Sequence, residues 1–251
     1  MNIGGNTVLI TGGATGIGFA FAEYFIEAGN EVVICGRREK KLIEARGKHP
    51  ELHIRVCDIA SDYDRRSLFD WISSGFSNLN VLVNNAGIQR EINFTNGLSE
   101  FIRGENEISI NLEAQIILTG LFIPLLKGNK ESAIINVTSG LGFIPAARTP
   151  VYSATKAGMH AFTMALRYQL SPAGIKVFEV VPPAVDTELN PEGRAERGNY
   201  KPDIKPDEFV GAVMEGLKND VPEIGYGSTE KLIKASRQEL DTIFRQMNSR
   251  W

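Results

Sequence analysis

The apolar run Thr7-Val8-Leu9-Ile10 passes without a break into Thr11-Gly12-Gly13-Ala14-Thr15-Gly16-Ile17-Gly18. A short run of this kind is what a strand buried on both faces shows. Beyond the glycines, Phe19, Ala20, Ala22, Phe25 and Ile26 fall at helical spacing until Gly29-Asn30 stops them. Strand, glycine loop and helix in direct succession limit the chain to few architectures. Gly12 permits a tight turn, and Gly16 and Gly18 let backbone and helix approach a bound group closely. The helix start offers oriented N–H groups and positive potential, a cradle for a pyrophosphate. Gly12, Thr15, Gly16, Ile17 and Gly18 are its expected contacts.

The alternation continues along the chain. Strands are expected at Glu31–Cys35, Leu52–Val56, Val81–Val83, Ala133–Val137, Lys176–Val181 and, as a short edge strand, Glu223–Tyr226. Helices are expected at Arg38–Arg46, Ser61–Phe76, Ser99–Leu126 (disturbed near Gly104), Pro150–Leu170, Asp207–Leu217 and Thr229–Met247. In the last, Leu232, Ile233, Leu240, Ile243, Phe244 and Met247 fit one face. Such alternation implies an α/β fold: a single-domain Rossmann fold, a doubly wound parallel sheet of about seven strands flanked by helices. With no linker or repeat, residues 1–251 form one domain. Residues 188–206 hold three prolines without sustained periodicity and are expected to form a substrate lid.

Composition removes other classes. Against 27 basic residues stand 30 acidic ones, a formal charge of −3, so no cationic field invites nucleic acid or an anionic membrane. Two cysteines, Cys35 and Cys57, lie inside apolar segments as buried thiols, with neither a disulfide framework nor a zinc spacing. The N-terminus lacks a signal peptide's features and no uninterrupted apolar run spans a bilayer, so a cytoplasmic location is expected.

Tyr152 and Lys156 stand four apart at the start of an expected helix. That spacing puts a phenol and an ammonium on one face. A nearby ammonium lowers the ordinary phenol pKa of about 10 and suits the pair to acid/base work on a carbonyl or alcohol oxygen. His160, eight residues after Tyr152, lies about two turns (~12 Å) away and reads as structural.

The glycine spacing Thr-Gly-x-x-x-Gly-x-Gly resembles that of the short-chain dehydrogenase/reductase family, over nearly the whole chain. Further matching positions are Asp58, Asn84-Asn85-Ala86-Gly87, Asn111, Ser139, Tyr152, Lys156 and Pro182-x-x-x-x-Thr187. The segments Asn84–Arg90, Pro145–Pro150 and Pro182–Thr187 resemble a DltE-like subgroup. The resemblance implies that Ser139 binds the substrate oxygen and Tyr152 exchanges its proton. It implies that Lys156 tunes Tyr152 and holds the nicotinamide ribose, and that Asn111 binds a relay water. Asp58 and Ile59 would hold adenine, Asn85, Ala86 and Gly87 would line the adenosine ribose, and Pro182, Val185 and Thr187 would meet the nicotinamide end. Pro183 stands where the family usually has Gly, which makes the last contacts less secure. A homo-oligomer, dimer or tetramer, is also implied, through the helices of Asn111 and Tyr152, where Ala154, Ala157 and Gly158 permit close approach.

The second strand ends in Cys35-Gly36-Arg37-Arg38, with no carboxylate to bind ribose hydroxyls. A guanidinium accepts a 2′-phosphate, so NADP(H) is expected over NAD(H), with Arg37 the main contact and Arg38 helping. The expected activity is hydride transfer between NADP(H) and a small-molecule carbonyl or secondary alcohol. The alternative is a silent dinucleotide-binding regulator or scaffold, which loss of Ser139, Tyr152 or Lys156 would favour; none is lost.

Overall fold

The computed structural model describes residues 1–190, 193, 198 and 202–249. Seven parallel strands form one sheet in the order β3-β2-β1-β4-β5-β6-β7. They are β1 (Thr7–Thr11), β2 (Glu31–Gly36), β3 (His53–Val56), β4 (Leu79–Asn84), β5 (Ala133–Val137), β6 (Lys176–Val181) and β7 (Glu223–Gly225). The helices are α1 (Gly16–Glu27), α2 (Glu39–Lys48), α3 (Asp62–Gly75), α4 (Ser99–Ile102), α5 (Ala114–Gly128), α6 (Pro150–Leu170), α7 (Pro206–Lys218), α8 (Ser228–Lys234) and α9 (Arg237–Met247).

Side chains alternate across each strand, so both faces of an apolar strand need cover. Val8, Ile10, Val32, Ile34, Val81 and Val83 pack with Phe21 and Phe25 of α1, Leu42 of α2, and Phe209 and Val213 of α7. Leu9, Val33, Leu82 and Ile134 pack on the other face with Leu68 and Ile72 of α3, Leu118 and Phe122 of α5, and Leu166 of α6. This is the doubly wound Rossmann-like sheet that the alternation implied. The chain winds outward from β1 to β3 and then restarts at β4 beside β1. Such a reversal opens a crevice at the carboxyl ends of the strands.

Two expected helices differ. Ser99–Leu126 is not continuous: α4 ends at Ile102, residues 105 and 106 carry no helix, and a π-helical turn, Ser109–Glu113, leads into α5. Thr229–Met247 is broken between α8 and α9, because Ser236 caps α9 in a reciprocal capping box with Glu239. No residue of α9 is buried, and Phe244 and Met247 are exposed. Its apolar face therefore does not join the core. The helix over Ser109–Gly128 has 20 residues and a mean hydropathy of 1.5, enough by length and composition to cross a bilayer. Here Ala114, Leu118, Phe122 and Leu126 cover the sheet instead. Nine of the nineteen residues of the expected lid, 188–206, lie outside the described residues; at its C-terminal end the Ile204 carbonyl accepts from the Asp186 amide.

Candidate active site

β1 delivers the glycine loop to the crevice. Its Gly12 has φ +65 and its amide donates to the Cys35 carbonyl at 2.8 Å, which folds the loop back over β2. A Cβ on Gly18 would stand 2.4 Å from both Asn85 Nδ2 and the Gly12 carbonyl oxygen. The packing of α1 on the loop therefore depends on that missing carbon. Thr15, at the N-cap of α1, makes no side-chain cap bond; its hydroxyl accepts from Arg38 at 2.9 Å. A cleft of about 420 Å³ beside the loop is walled by Thr15, Gly16, Lys41, Thr187 and Glu188. Ser139, Tyr152 and Lys156 lie outside that wall.

The segment after β4 is fixed from three sides. Thr11 Oγ1 accepts from the amides of Asn85 and Ala86, both at 3.0 Å. Gln115 donates to the Ala86 carbonyl at 2.6 Å. Asn111 accepts from the Ile88 amide at 2.9 Å and returns a bond to the Ile88 carbonyl at 2.8 Å. Asn111 can face this segment because it sits inside the π-helical turn, a local widening often found at functional sites.

On the far side of the crevice, Ser139 follows β5 and is half-buried. Tyr152 and Lys156, one turn apart on α6, are 5% and 3% exposed. The Lys156 ammonium lies 5.7 Å from the Tyr152 ring centroid and donates to the Val137 carbonyl at 2.8 Å. A Cβ added at Gly87 would be 3.2 Å from Asn111 Oδ1 and 3.8 Å from Lys156 Nζ. Ser139, Tyr152, Lys156, Asn111 and Gly87 thus meet in one place.

The electrostatics differ from the expectation that Lys156 depresses Tyr152. Burial pushes the phenol up to about 12; a hydrogen bond with Ser139 opposes this and the charge of Glu107 adds to it. Burial pushes Lys156 down to about 8. A buried ammonium facing a backbone carbonyl loses hydration and gains no counter-charge, so its own charge is disfavoured.

A short-chain dehydrogenase family model matches residues 6–198. The chain belongs to the short-chain dehydrogenase family. It is 45% identical over 249 residues to the uncharacterized oxidoreductase DltE of Bacillus subtilis, covering 99% of each chain. It is 31% identical over 200 residues to human 15-hydroxyprostaglandin dehydrogenase [NAD(+)], covering 75% of this chain and 71% of that one. A solved short-chain dehydrogenase from Sphingobium yanoikuyae in complex with NADPH is similar at a TM-score of 0.79 and 27% identity, covering 94% and 95%.

Within this short-chain dehydrogenase, an oxidoreductase by family, the outer contacts are looser. Arg37 and Arg38 are exposed at the end of β2. Arg37 makes a two-pronged pair with Glu105, and Arg38 pairs with Glu188 at 2.6 Å. Asp58 is half-buried and its Oδ1 accepts from the Ala60 amide, while Ile59 is buried. Pro182 accepts from the Gly140 amide, Val185 bridges to Ile204, and Thr187 packs against Gly16. Gly158 is occupied within the chain, where an added Cβ would meet Leu112 at 3.1 Å. Ala154 and Ala157 remain exposed.

Sequence reasoning missed Thr11, Gln115 and Glu107. Polar type at the end of a buried strand was a usable signal for Thr11; the other two depend on where the helix is broken. His160 proves structural in setting: its Nδ1 bonds the fully buried Glu179 at 2.8 Å, and Glu179 also accepts from Thr138.

Proposed function

We propose that this chain is an NADP(H)-dependent oxidoreductase that moves a hydride between the nicotinamide and a small carbonyl or secondary alcohol, with Tyr152 as acid/base. The observation that carries the reading is the meeting of Ser139, Tyr152, Lys156 and Asn111 at the carboxyl ends of β4 and β5. A dinucleotide fits the residues present: the loop carries glycine at 12, 13, 16 and 18, and the start of α1 is uncapped by Thr15. Gly12, Thr15, Gly16, Ile17 and Gly18 would hold the pyrophosphate. Arg37 and Arg38 would hold the 2′-phosphate, exchanging it for Glu105 and Glu188. Asp58 and Ile59 would meet adenine, Asn85, Ala86 and Gly87 the adenosine ribose, and Pro182, Val185 and Thr187 the nicotinamide end.

When bound, the nicotinamide supplies or accepts the hydride. The chain's own residues handle the oxygen. In reduction, the Ser139 hydroxyl donates to the carbonyl oxygen, and Tyr152 gives it a proton as the carbon gains the hydride. A phenol held neutral by burial suits that donor role. Lys156, lowered to about 8, exchanges protons near neutrality and resupplies Tyr152. Asn111, which with Lys156 borders Gly87 and is held by the Ile88 segment, would bind a water that relays protons from Lys156 to solvent. In oxidation each proton runs the other way.

Residues 1–251 are read as one domain, with residues around 188–206 as the substrate lid. The exposed Ile108 and Ile116 on the Asn111 helix, and Met164 and Tyr168 on α6, support assembly with a second copy through these helices. Replacing Tyr152 with Phe keeps the ring and removes the proton. Turnover on a carbonyl panel should fall at least about a hundredfold with cofactor affinity kept. Turnover surviving near the wild-type rate would overturn the role given to Tyr152.

A further inference from the structure

The chain between Ser139 and Tyr152 is a strap with a proposed oxygen contact at each end. It starts in a short 3-10 helical turn, Gly140–Gly142, where Ser139 Oγ accepts from the Leu141 amide at 3.1 Å. It ends at Pro150, where α6 begins. Residues 143–149 between them carry neither helix nor strand. Such a stretch keeps one shape only where its backbone groups find partners. Two of those partners belong to the site itself. The Ala146 amide donates to Ser153 Oγ at 3.2 Å, next to Tyr152 on α6. The Arg148 carbonyl accepts from the Ile92 amide at 3.0 Å, in the segment after β4.

A third partner comes from the far end of the sequence. Asn248, the half-buried C-cap of α9, turns its side-chain amide onto the strap. Its Oδ1 accepts from the Ala147 amide at 2.5 Å, and its Nδ2 donates to the Pro145 carbonyl at 3.1 Å. These bonds bracket Ala146, the residue that Ser153 holds from the other side. Nδ2 also donates to the Phe244 carbonyl at 2.9 Å, so the strap is tied to the last turn of α9. The preceding helix meets the start of the strap. Thr229 of α8 donates to the Val181 carbonyl at 2.7 Å, and a Cβ added at Gly140 would stand 2.9 Å from Thr229 Cγ2 and 3.3 Å from Leu232 Cδ1. α8 and α9 thus grip the strap at two points from outside. Since α9 buries no residue, its attachment orders the strap and not the core.

We propose that Asn248 is a positioning residue of the substrate side: by gripping Pro145 and Ala147 it fixes the strap between Ser139 and Tyr152, and α9 becomes an outer wall that sets how tightly the carbonyl substrate is held. This rests on the oxidoreductase reading above and deepens it. A strap already ordered adds no ordering cost when substrate binds, whereas a loose one must be ordered by the substrate. That cost falls alike on the bound substrate and on the transition state, so it enters KM and spares kcat. Neither bond touches the glycine loop, so cofactor affinity is expected to stay.

The test uses Asn248→Ala and Asn248→Asp in the full chain, with NADPH and the carbonyl probes cyclohexanone, acetophenone and decanal. Asn248→Ala should raise KM for the probes about five- to tenfold, with kcat and NADPH affinity kept within about twofold. Hydrogen exchange should accelerate at the Ala147 amide, which loses its acceptor, and also at Ala146, whose own acceptor is untouched. Asn248→Asp keeps the acceptor for Ala147 and should bring KM back to within about twofold of wild type. An unmoved KM in Asn248→Ala, a loss confined to kcat, or an Ala146 amide exchanging as in wild type overturns the proposal and leaves the oxidoreductase reading standing. Should Asn248→Ala fail to fold, Asn248→Ser, whose hydroxyl is too short for both bonds, is read by the same criteria. An Ala147 amide that exchanges at the free-peptide rate in the wild type also overturns the proposal. If the wild type reduces no probe, the oxidoreductase reading is what fails, and exchange at Ala146 and Ala147 decides whether Asn248 fixes the strap.

Discussion

Replacing Arg37 with Met removes one guanidinium from the end of β2 and leaves the glycine loop untouched. Its effect on NADPH binding follows from two opposing terms. A charge-assisted hydrogen bond to a phosphate contributes about 1.5–3 kcal/mol. Against it stands the pair that Arg37 makes with Glu105, which must open first. Both side chains are substantially exposed, 40% and 50%, so that pair contributes only about 0.2–1 kcal/mol. The difference, about 0.5–2.8 kcal/mol, corresponds to roughly 2- to 100-fold in affinity. Arg37→Met should therefore weaken NADPH by that factor and change NADH by no more than about twofold. Glu105→Gln should act in the opposite sense, tightening NADPH by up to about fivefold, since it removes the competing carboxylate. Fluorescence titration of both cofactors at one fixed ionic strength measures all of these. Equal losses for NADPH and NADH, or tighter NADH binding to the wild type, would refute the assignment of a 2′-phosphate to Arg37.

Other consequences are as direct. Gly18→Ala places a carbon 2.4 Å from a backbone oxygen that cannot move aside, so it should destabilise by about 1–3 kcal/mol and weaken NADPH and NADH together, read by thermal unfolding and titration. His160 is raised above its ordinary value, first by its bond to Glu179, with burial opposing. Its stabilising contribution is thus full below the unfolded value of about 6.5 and lost as pH rises through the folded one. The stability difference between wild type and His160→Gln should shrink as pH rises through neutrality, and a difference that grows would contradict the pair. Met164→Glu puts a charge on the exposed face of α6 and should shift the proposed assembly toward monomer in sedimentation, with the fold intact by circular dichroism.

The order of elements was legible because the buried strands are short, mostly apolar runs and several helices begin or end at a proline or glycine. Pro150 and Leu170 bound α6 as expected, and Pro150 at its first turn has no amide to leave unpaired. The failures occur where tertiary partners override local pattern. The long helix expected from Ser99 is apolar enough throughout its second half, yet the Arg90 side chain takes the carbonyls of Glu100, Phe101 and Glu105 and ends α4 there. The disturbance expected near Gly104 is where the break falls, and a Cβ there would stand 2.6 Å from the Arg90 guanidinium; the part that Arg90 plays was not legible. The break before α9 has a local sequence signal, Ser236-x-x-Glu239, a capping box inside an otherwise periodic stretch. Tyr152 and Lys156 were placed on one face correctly, but the direction of the phenol's shift depends on how deeply α6 is buried, which spacing four apart does not encode.

The buried polar residues at the strand ends explain why so open a crevice can hold its groups still. Thr11, Asn84, Asn136, Thr138 and Glu179 close β1, β4, β5 and β6, or lie just inside or beyond their ends, and all are buried. None has water to turn to, so each bonds sideways. Thr11 takes two amides of the next segment; Asn84 donates to Asn136 and Thr119; Asn136 donates to Thr163 of α6; Thr138 donates to Glu179, which holds His160 of the same helix. The result is a belt under the crevice that ties the segments after β1, β4 and β5 to α5 and α6. Removing one member leaves its partner unsatisfied, at about 1–3 kcal/mol, and also frees the segment above it. The bonds that make the strand ends tolerable inside the core thus also hold α6, which carries Tyr152, and the segment after β4, to which Asn111 bonds. Stability and site geometry are therefore coupled at this belt.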